Sequence, residues 1–270
     1  MTIQRISGLL FLSIAFHLLA AQSFASRPHF NSREFAGTYI IGNPSYAACL
    51  HLDAKGNFRT FDAKGSGHIS PNGRCNHKNG GSGTYVFSHG VLKFTLLKFT
   101  RWQHSFAVNE PKSTFTMLPV RWSGRLYLLD EDTLADFANA INLGLEPRRS
   151  LITENYYGQF YLRTGDETKE VSGAPSLPVK WSSLLLKNPV EAQVTKVEVG
   201  CSYLMLTIDK GSGAGLKPEM RLIRENAAEP SLSFDPLIVF VEKNSARLQA
   251  RGEWKVGDKL TTRFTATQLQ

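Results

Sequence analysis

From Gly37 onward the chain is written as short runs of β-branched, aromatic and leucine residues cut by turn residues: GTYII, ACLHLD, NFRTFD, GTYVFS and VLKFTLLKFT. Runs of this length and spacing predict antiparallel strands joined by tight connections, an up-and-down meander. The tetrapeptide Asp-Ala-Lys-Gly occurs at 53–56 and again at 62–65. Asp first and Gly fourth suit a type I turn, so each copy is expected to close a strand. Between the second copy and GTYVFS, the stretch 66–83, SGHISPNGRCNHKNGGSG, holds too much Gly, Ser and Asn to bury and reads as a mobile surface loop.

The first line of the chain sets the expected compartment. Arg5 precedes an apolar run from Ile6 to Ala21 and a short polar exit ending Ser23-Phe24-Ala25, the form of a secretory signal peptide cut after Ala25. As a membrane span the run is 16 residues long, below the roughly 20 that a bilayer helix requires. The expectation is an exported chain, periplasmic or secreted, with no stable membrane span after cleavage.

Three cysteines remain, Cys49, Cys75 and Cys201. In an oxidising compartment Cys49 and Cys75 are expected to form a disulfide, tethering the Gly-rich loop. A second pattern competes. Cys49 and His51, then Cys75 and His77, are two Cys-x-His pairs, and on a strand positions i and i+2 share a face. Two such pairs can supply the two sulfurs and two nitrogens of a tetrahedral metal site. Cys201 is left over and is expected buried and inert in a strand.

Cleavage takes Arg5 with it and lowers the formal charge from +8 to +7. The basic residues stand in ones and twos, Arg148 and Arg149 being among the longest like-charge neighbours, so no compact stripe marks a nucleic-acid site. A solvated cationic surface is the reading, with loose attraction to anionic envelope polymers or lipid headgroups as a second.

RLYLLDEDTLADFANAINLGLEPRR starts as a strand and continues as a helix near 132–143. Leu134, Phe137, Ala138 and Ile141 fall at helical spacing, Gly144 ends the run and Pro147 follows. Asp130, Glu131 and Asp132 could bind a cation, but acids at a helix start cap free amides and complement the dipole. TGDETKEVSGAPSLP, 164–178, reads as a linker, which divides the mature chain into a β-rich domain over 26–163 and a small C-terminal β-barrel over 179–270. LPVRWS at 118–123 returns as LPVKWS at 177–182 and predicts two similarly built strand entries.

DKGSGAGLKPEM, 209–220, poses the question of a phosphate loop. A P-loop from Gly211 needs Gly at 216 and Ser or Thr at 218; Leu216 and Pro218 stand there and only Lys217 fits. The glycines instead suit a compact connection between strands.

FAGTY, LHLDAKGNF and GTYVF together resemble the opening of lipocalin-like and sandwich-type extracytoplasmic domains, a likeness that implies a barrel or sandwich able to hold a small apolar ligand. Small barrels are commonly filled by side chains, and a filled interior is expected. VRWSGRLYLLDEDTLADFANAINLGLEPR with YGQFYLRTGDE resembles a segment of exported bacterial proteins of unknown function, which implies a compartment and no chemistry. GLKPEM and WKVGDKL resemble the strand-turn grammar of small β-barrel domains in bacterial envelope proteins, the rod-shape-determining and flagellar-assembly families among them. Glu219 stands where those proteins often carry glycine.

The fold class expected is therefore mainly β: two small antiparallel β-barrel or sandwich domains with one short helix between them. No Gly-x-Ser-x-Gly elbow, His-Glu-x-x-His or Cys-x-x-Cys-His occurs, no catalytic residue is assigned and no cofactor is expected. The function expected is a non-catalytic binding or scaffolding protein of the bacterial envelope. Its partner would be an envelope protein or polymer, or a small apolar ligand, and not nucleic acid. The alternative is a metal-binding protein or metal-assisted hydrolase using Cys49, His51, Cys75 and His77.

Overall fold

The structure is a computed structural model that describes residues 32–43, 46–64, 79–101, 104–107, 113–145, 160–227 and 235–263. The leader with Ala25, most of the Gly-rich loop with Cys75 and His77, and Arg148 and Arg149 lie outside the described residues. Residues from Ser32 onward belong to one compact unit.

The first half of that unit is a closed barrel. Its strands are β1 (Gly37–Asn43), β2 (Tyr46–Leu52), β3 (Asn57–Lys64), β4 (Asn79–Ser88), β5 (Val91–Arg101), β7 (Thr114–Trp122), β8 (Arg125–Leu129) and β9 (Tyr161–Arg163), with β6 (His104–Ala107) added on the outer edge of β5. The order is β4-β3-β2-β1-β9-β8-β7-β5-β6, and pairing of β4 with β5 closes eight strands into a ring. Closure removes the free edges that an open meander would expose.

Alternate residues fill the interior. Phe94 stacks on Phe115 with centroids 4.6 Å apart, Phe58 meets both edge-on at 5.2 and 5.7 Å, and Tyr85 lies 5.8 Å from Phe94. Such contacts add to the burial of each ring. Gly83 marks where the wall comes closest to itself: a Cβ there would lie 1.9 Å from the carbonyl oxygen of Thr95, beside a register irregularity in the β4–β5 ladder. Only glycine fits that approach.

A 3-10 turn, Ser32–Glu34, and the buried Phe35 close one end of the barrel. The Tyr39 hydroxyl donates to the Phe35 carbonyl at 2.8 Å, and Phe35 packs on Phe87 at 5.0 Å.

The second half is a curled sheet in the order β12-β15-β10-β11-β14-β13. These strands are β10 (Glu191–Val199), β11 (Leu204–Ile208), β12 (Ile223–Arg224), β13 (Leu237–Val241), β14 (Ala246–Ala250) and β15 (Lys259–Thr261). The segment leading into β12 bonds β13: Glu219 N donates to Ile238 O at 2.9 Å, Ile238 N to Met220 O at 2.8 Å and Leu222 N to Pro236 O at 3.0 Å. The two edges of the sheet are thereby drawn together.

Between the halves lies helix α1 (Leu134–Asn142), with the apolar spacing expected of it: Leu134, Phe137 and Ala138 are buried. Phe137 contacts Tyr127 at 5.0 Å, Phe160 at 5.1 Å and Trp122 at 6.3 Å. One hydrophobic core runs from these residues through Trp181 to Leu206, Ile208 and Leu248 of the second sheet. The mainly β class, with two antiparallel β units and a short helix between them, is what the residues form.

Residues 164–178, read as a linker, lie along β7 and β8: Arg125 Nε donates to Lys169 O at 2.6 Å, Trp122 Nε1 to Gly173 O at 2.8 Å and Ser176 N to Arg121 O at 2.8 Å.

Four local expectations are corrected. The first Asp-Ala-Lys-Gly is a turn, with Gly56 N donating to Asp53 O, but Asp62–Lys64 of the second copy continue β3, because Tyr46, Ala47 and Ala48 of β2 pair with them. Residues 79–83 of the presumed loop form the start of β4, held between β3 and β5. LPVRWS ends strand β7, whereas LPVKWS enters the one-turn helix α2 (Val179–Ser182). Asp130 precedes the 3-10 turn Glu131–Thr133 without a side-chain cap; its carbonyl takes the Thr133 N–H and hydroxyl instead, at 3.0 and 2.8 Å.

Candidate functional site

Of the four Cys-x-His residues, Cys49 and His51 are described. Cys49 is buried on β2, opposite Ile40 of β1 and Phe61 of β3. His51, two residues on, is exposed, and its Nδ1 lies 3.1 Å from the Thr38 hydroxyl. Among the described residues no group of three or more His, Cys, Asp or Glu side chains is placed to hold a metal ion. Cys201 is free and exposed, and Cys49 is not a free thiol. The expectation of a buried Cys201 is overturned because Gly200–Tyr203 form the tip of the β10–β11 hairpin, and the strand ends before Cys201 can face the core.

The buried charges hold chain segments together. Asp166, 2% exposed, accepts from Leu126 N and from Arg163 Nε, each at 3.0 Å, and pairs with Lys169 Nζ. Burial pushes its carboxyl up, but the hydrogen bonds from Lys169, Arg163 and Leu126 outweigh it, so the net displacement is below the usual range. Arg125, 1% exposed, donates to the carbonyls of Lys169 and Glu167. Asp136 on α1 is pushed up by burial, only partly offset by Arg221 at 3.5 Å.

The 209–220 stretch is a compact connection, as expected. Gly211 is packed so closely that a Cβ would lie 2.1 Å from Glu242 O, and Ser212 N and Gly213 N donate to the carbonyls of Glu242 and Lys243 at 2.8 and 2.9 Å. These amides are engaged by backbone. Lys217-Pro218-Glu219-Met220 then forms a turn closed by Met220 N to Lys217 O, and Glu219 holds the left-handed position, φ 72°, that favours glycine.

Exposed chemistry gathers on the outer barrel wall. The strand registers align Thr38, His51, Arg59, Ser82 and Lys98 in one row across β1, β2, β3, β4 and β5. Asn57, Thr84, Thr95 and Thr114 form the next row, and Val86, Lys93 and Thr116 a third. Arg59, Lys93 and Lys98 are exposed and have no ion-pair partner among the described residues. On the second sheet, in contrast, cations sit beside acids: Lys196 and Arg247 by Glu198, Lys210 by Asp209, Arg224 by Asp258, Lys259 by Glu225.

Reading charges as neighbours in sequence misses this asymmetry. Counting over a longer window finds part of it: residues 63–129, which include Lys93 and Lys98 but not Arg59, hold nine of the 31 Lys and Arg and one of the 23 Asp and Glu. No acid occurs between Asp62 and Glu110. Closing the barrel brings Lys93 and Lys98 of this stretch onto one wall with Arg59.

Among the described residues no helix is long and apolar enough to cross a membrane. No family model, curated protein or solved structure matches the chain.

Proposed function

We propose that the chain is an exported, periplasmic or secreted, non-catalytic binding or scaffolding protein of the bacterial cell envelope, acting through its outer surface on an envelope protein or polymer. The observation that carries this reading is the interior of the barrel, where Phe58, Phe94 and Phe115 occupy the space with their own rings at 4.6–5.7 Å. A packed interior leaves contact to the outside, and small barrels commonly work this way. The buried charges support the same reading, since Asp166 and Arg125 are engaged in fixing 163–169 to β8.

Within this reading Cys49 is bridged to Cys75, tying the Gly-rich segment to β2. Cys49 is not free, and Cys75 is the cysteine left to it once free Cys201 is set aside. The experiment is fractionation of cells expressing the full chain, with mass spectrometry of its N-terminus and binding of the recovered protein to an envelope fraction. The expected result is a chain starting at Ser26 outside the cytosol, with saturable binding. A cytosolic chain that keeps its leader overturns the proposal.

A further inference from the structure

We propose that the outer face of β3, β4, β5 and β7 is a docking surface for an acidic polysaccharide. This deepens the reading of the chain as a binding protein and rests on it. Three observations carry it.

First, the face carries three cations, with the Asp53 carboxylate at its rim bonded to Asn57. Arg59, Lys93 and Lys98 are exposed without ion-pair partners among the described residues, and β4, β5 and β7 contain no Asp or Glu. Cations without ion-pair partners on a surface poor in acids raise the local concentration of polyanions. Second, hydroxyls and an amide lie between the cations. Asn57, Thr84 and Thr95 share a row, with Asn57 and Thr84 exposed; the Asn57 amide donates to Asp53 Oδ2 at 2.8 Å, and the threonine hydroxyls can hydrogen-bond the hydroxyls of sugars. Third, the cations are sparse. Arg59 and Lys98 occupy the same row with β4 between them, which sets them about 10 Å apart at two strand spacings.

That spacing suits a polyuronate, in which carboxylates about two sugars apart each meet one cation. A nucleic-acid strand carries a charge about every 3.4 Å and is gripped by stacking aromatics as well. The outward positions of these three rows carry no Phe, Tyr or Trp, and the His51 imidazole is their one aromatic ring. A membrane-binding face requires apolar side chains that enter the headgroup region, and Val86 is the single aliphatic residue in the rows.

The test measures binding of the full chain, as recovered from cells, to polygalacturonate, with dextran, single-stranded DNA and vesicles of phosphatidylglycerol and phosphatidylcholine as comparisons. The variant R59Q/K93Q/K98Q is set against K196Q/K210Q/K259Q, which removes the same charge from the second sheet where each lysine has an acidic neighbour. All six side chains are on the surface, and circular dichroism checks that both variants keep the fold. The expected result is saturable, salt-sensitive binding to polygalacturonate over dextran, weakened about tenfold in the barrel variant and within about twofold of wild type in the other. Equal loss in both variants, or tighter binding to DNA or vesicles than to polygalacturonate, overturns the proposal. If the barrel variant keeps wild-type binding to an envelope fraction, this face is wrong and the binding-protein reading stands. A cytosolic chain with its leader attached refutes that reading, whatever it does with polygalacturonate.

Discussion

Asn139 and Arg221 are 82 residues apart in the chain, yet the Asn139 Oδ1 accepts the Arg221 backbone N–H at 2.9 Å. The same side-chain amide donates from Nδ2 to the carbonyl of Glu219, also at 2.9 Å. One buried side chain on α1 therefore serves both sides of Met220 and fixes the turn that leads into β12. Three residues on, Asn142 does likewise with Leu184 O and Leu186 N, each at 2.8 Å.

Replacing Asn139 by Ala strands the Glu219 carbonyl and the Arg221 amide where water is scarce. Leaving buried polar groups unmatched costs about 1–3 kcal/mol each, so Asn139→Ala is expected to destabilise by about 3 kcal/mol. Asn139→Asp, which buries a carboxylate against the Glu219 carbonyl, is expected to cost at least as much at pH 7. Urea unfolding is the measurement, and a midpoint unchanged in Asn139→Ala would refute the clamp.

Glu219 sits at φ 72° behind Pro218, in the turn position where glycine carries no steric cost. Glu219→Gly is expected to raise stability by about 1 kcal/mol through relief of the left-handed strain, less the added freedom of the unfolded chain. Glu219→Ala keeps the Cβ and is expected to give no gain. Thermal melting of the two variants side by side separates strain from loss of the carboxylate.

Asp166 and Asp136 respond to acid with opposite signs. Asp166 has its folded pKa below the ordinary value, so its contribution is complete above about pH 4 and is lost as pH falls through the folded pKa. Asp136 is raised by burial, so it weakens the fold as pH rises through the carboxylate range and favours it below. Asp166→Asn is expected to cost about 2 kcal/mol at pH 7 and to flatten the acid limb of the stability profile; Asp136→Asn is expected to cost less and to steepen it. Denaturant titrations from pH 3 to pH 7 decide whether the two variants diverge in this way.

Tyr85 donates to the Asp53 carbonyl at 2.7 Å beneath the Ser32–Glu34 turn, and burial, with the Asp53 charge, pushes its hydroxyl up to about 12. Tyr39 is shifted upward too, chiefly by burial. A tyrosine with a raised folded pKa stabilises below about pH 10 and loses that contribution as pH climbs through the folded value. Phenolate absorbance is expected to show late-titrating tyrosines whose ionisation coincides with unfolding, and Tyr85→Phe is expected to shift the alkaline transition to higher pH. Normal titration of every tyrosine in the folded chain would contradict the sealed barrel end.

Cys201 is exposed and free, and Cys49 is not free. Native alkylation is expected to label one thiol per chain, Cys201, and peptide mapping to find Cys49 joined to Cys75. Reduction should lower stability by about 3 kcal/mol, the size expected for a loop of some 25 residues. Zinc bound at two thiolates, with no bridge, would restore the metal reading of Cys49, His51, Cys75 and His77.

The sequence by itself determined the elements whose signal is local and repeated. Alternating β-rich runs announced strands β1 to β5 and β8 of the barrel, and Leu134, Phe137 and Ala138 at helical spacing announced α1, because burying one face of a strand or helix imposes a period that the chain must carry. What it left undecided were matters settled by contact. Asp-Ala-Lys-Gly turns at 53–56 and runs on as strand at 62–64, and Leu-Pro-Val-x-Trp-Ser is strand at 118–122 and helix at 179–182, with Trp122 and Trp181 reaching the same core from the two conformations. The propensities of four or six residues differ by less than the energy of the ladder or core they join, so the neighbouring strand decides. The cationic face belongs to the same class. Arg59 and Lys98 are 39 positions apart and become neighbours across β4 only when the barrel closes, since strand register, and not sequence distance, sets which charges share a surface.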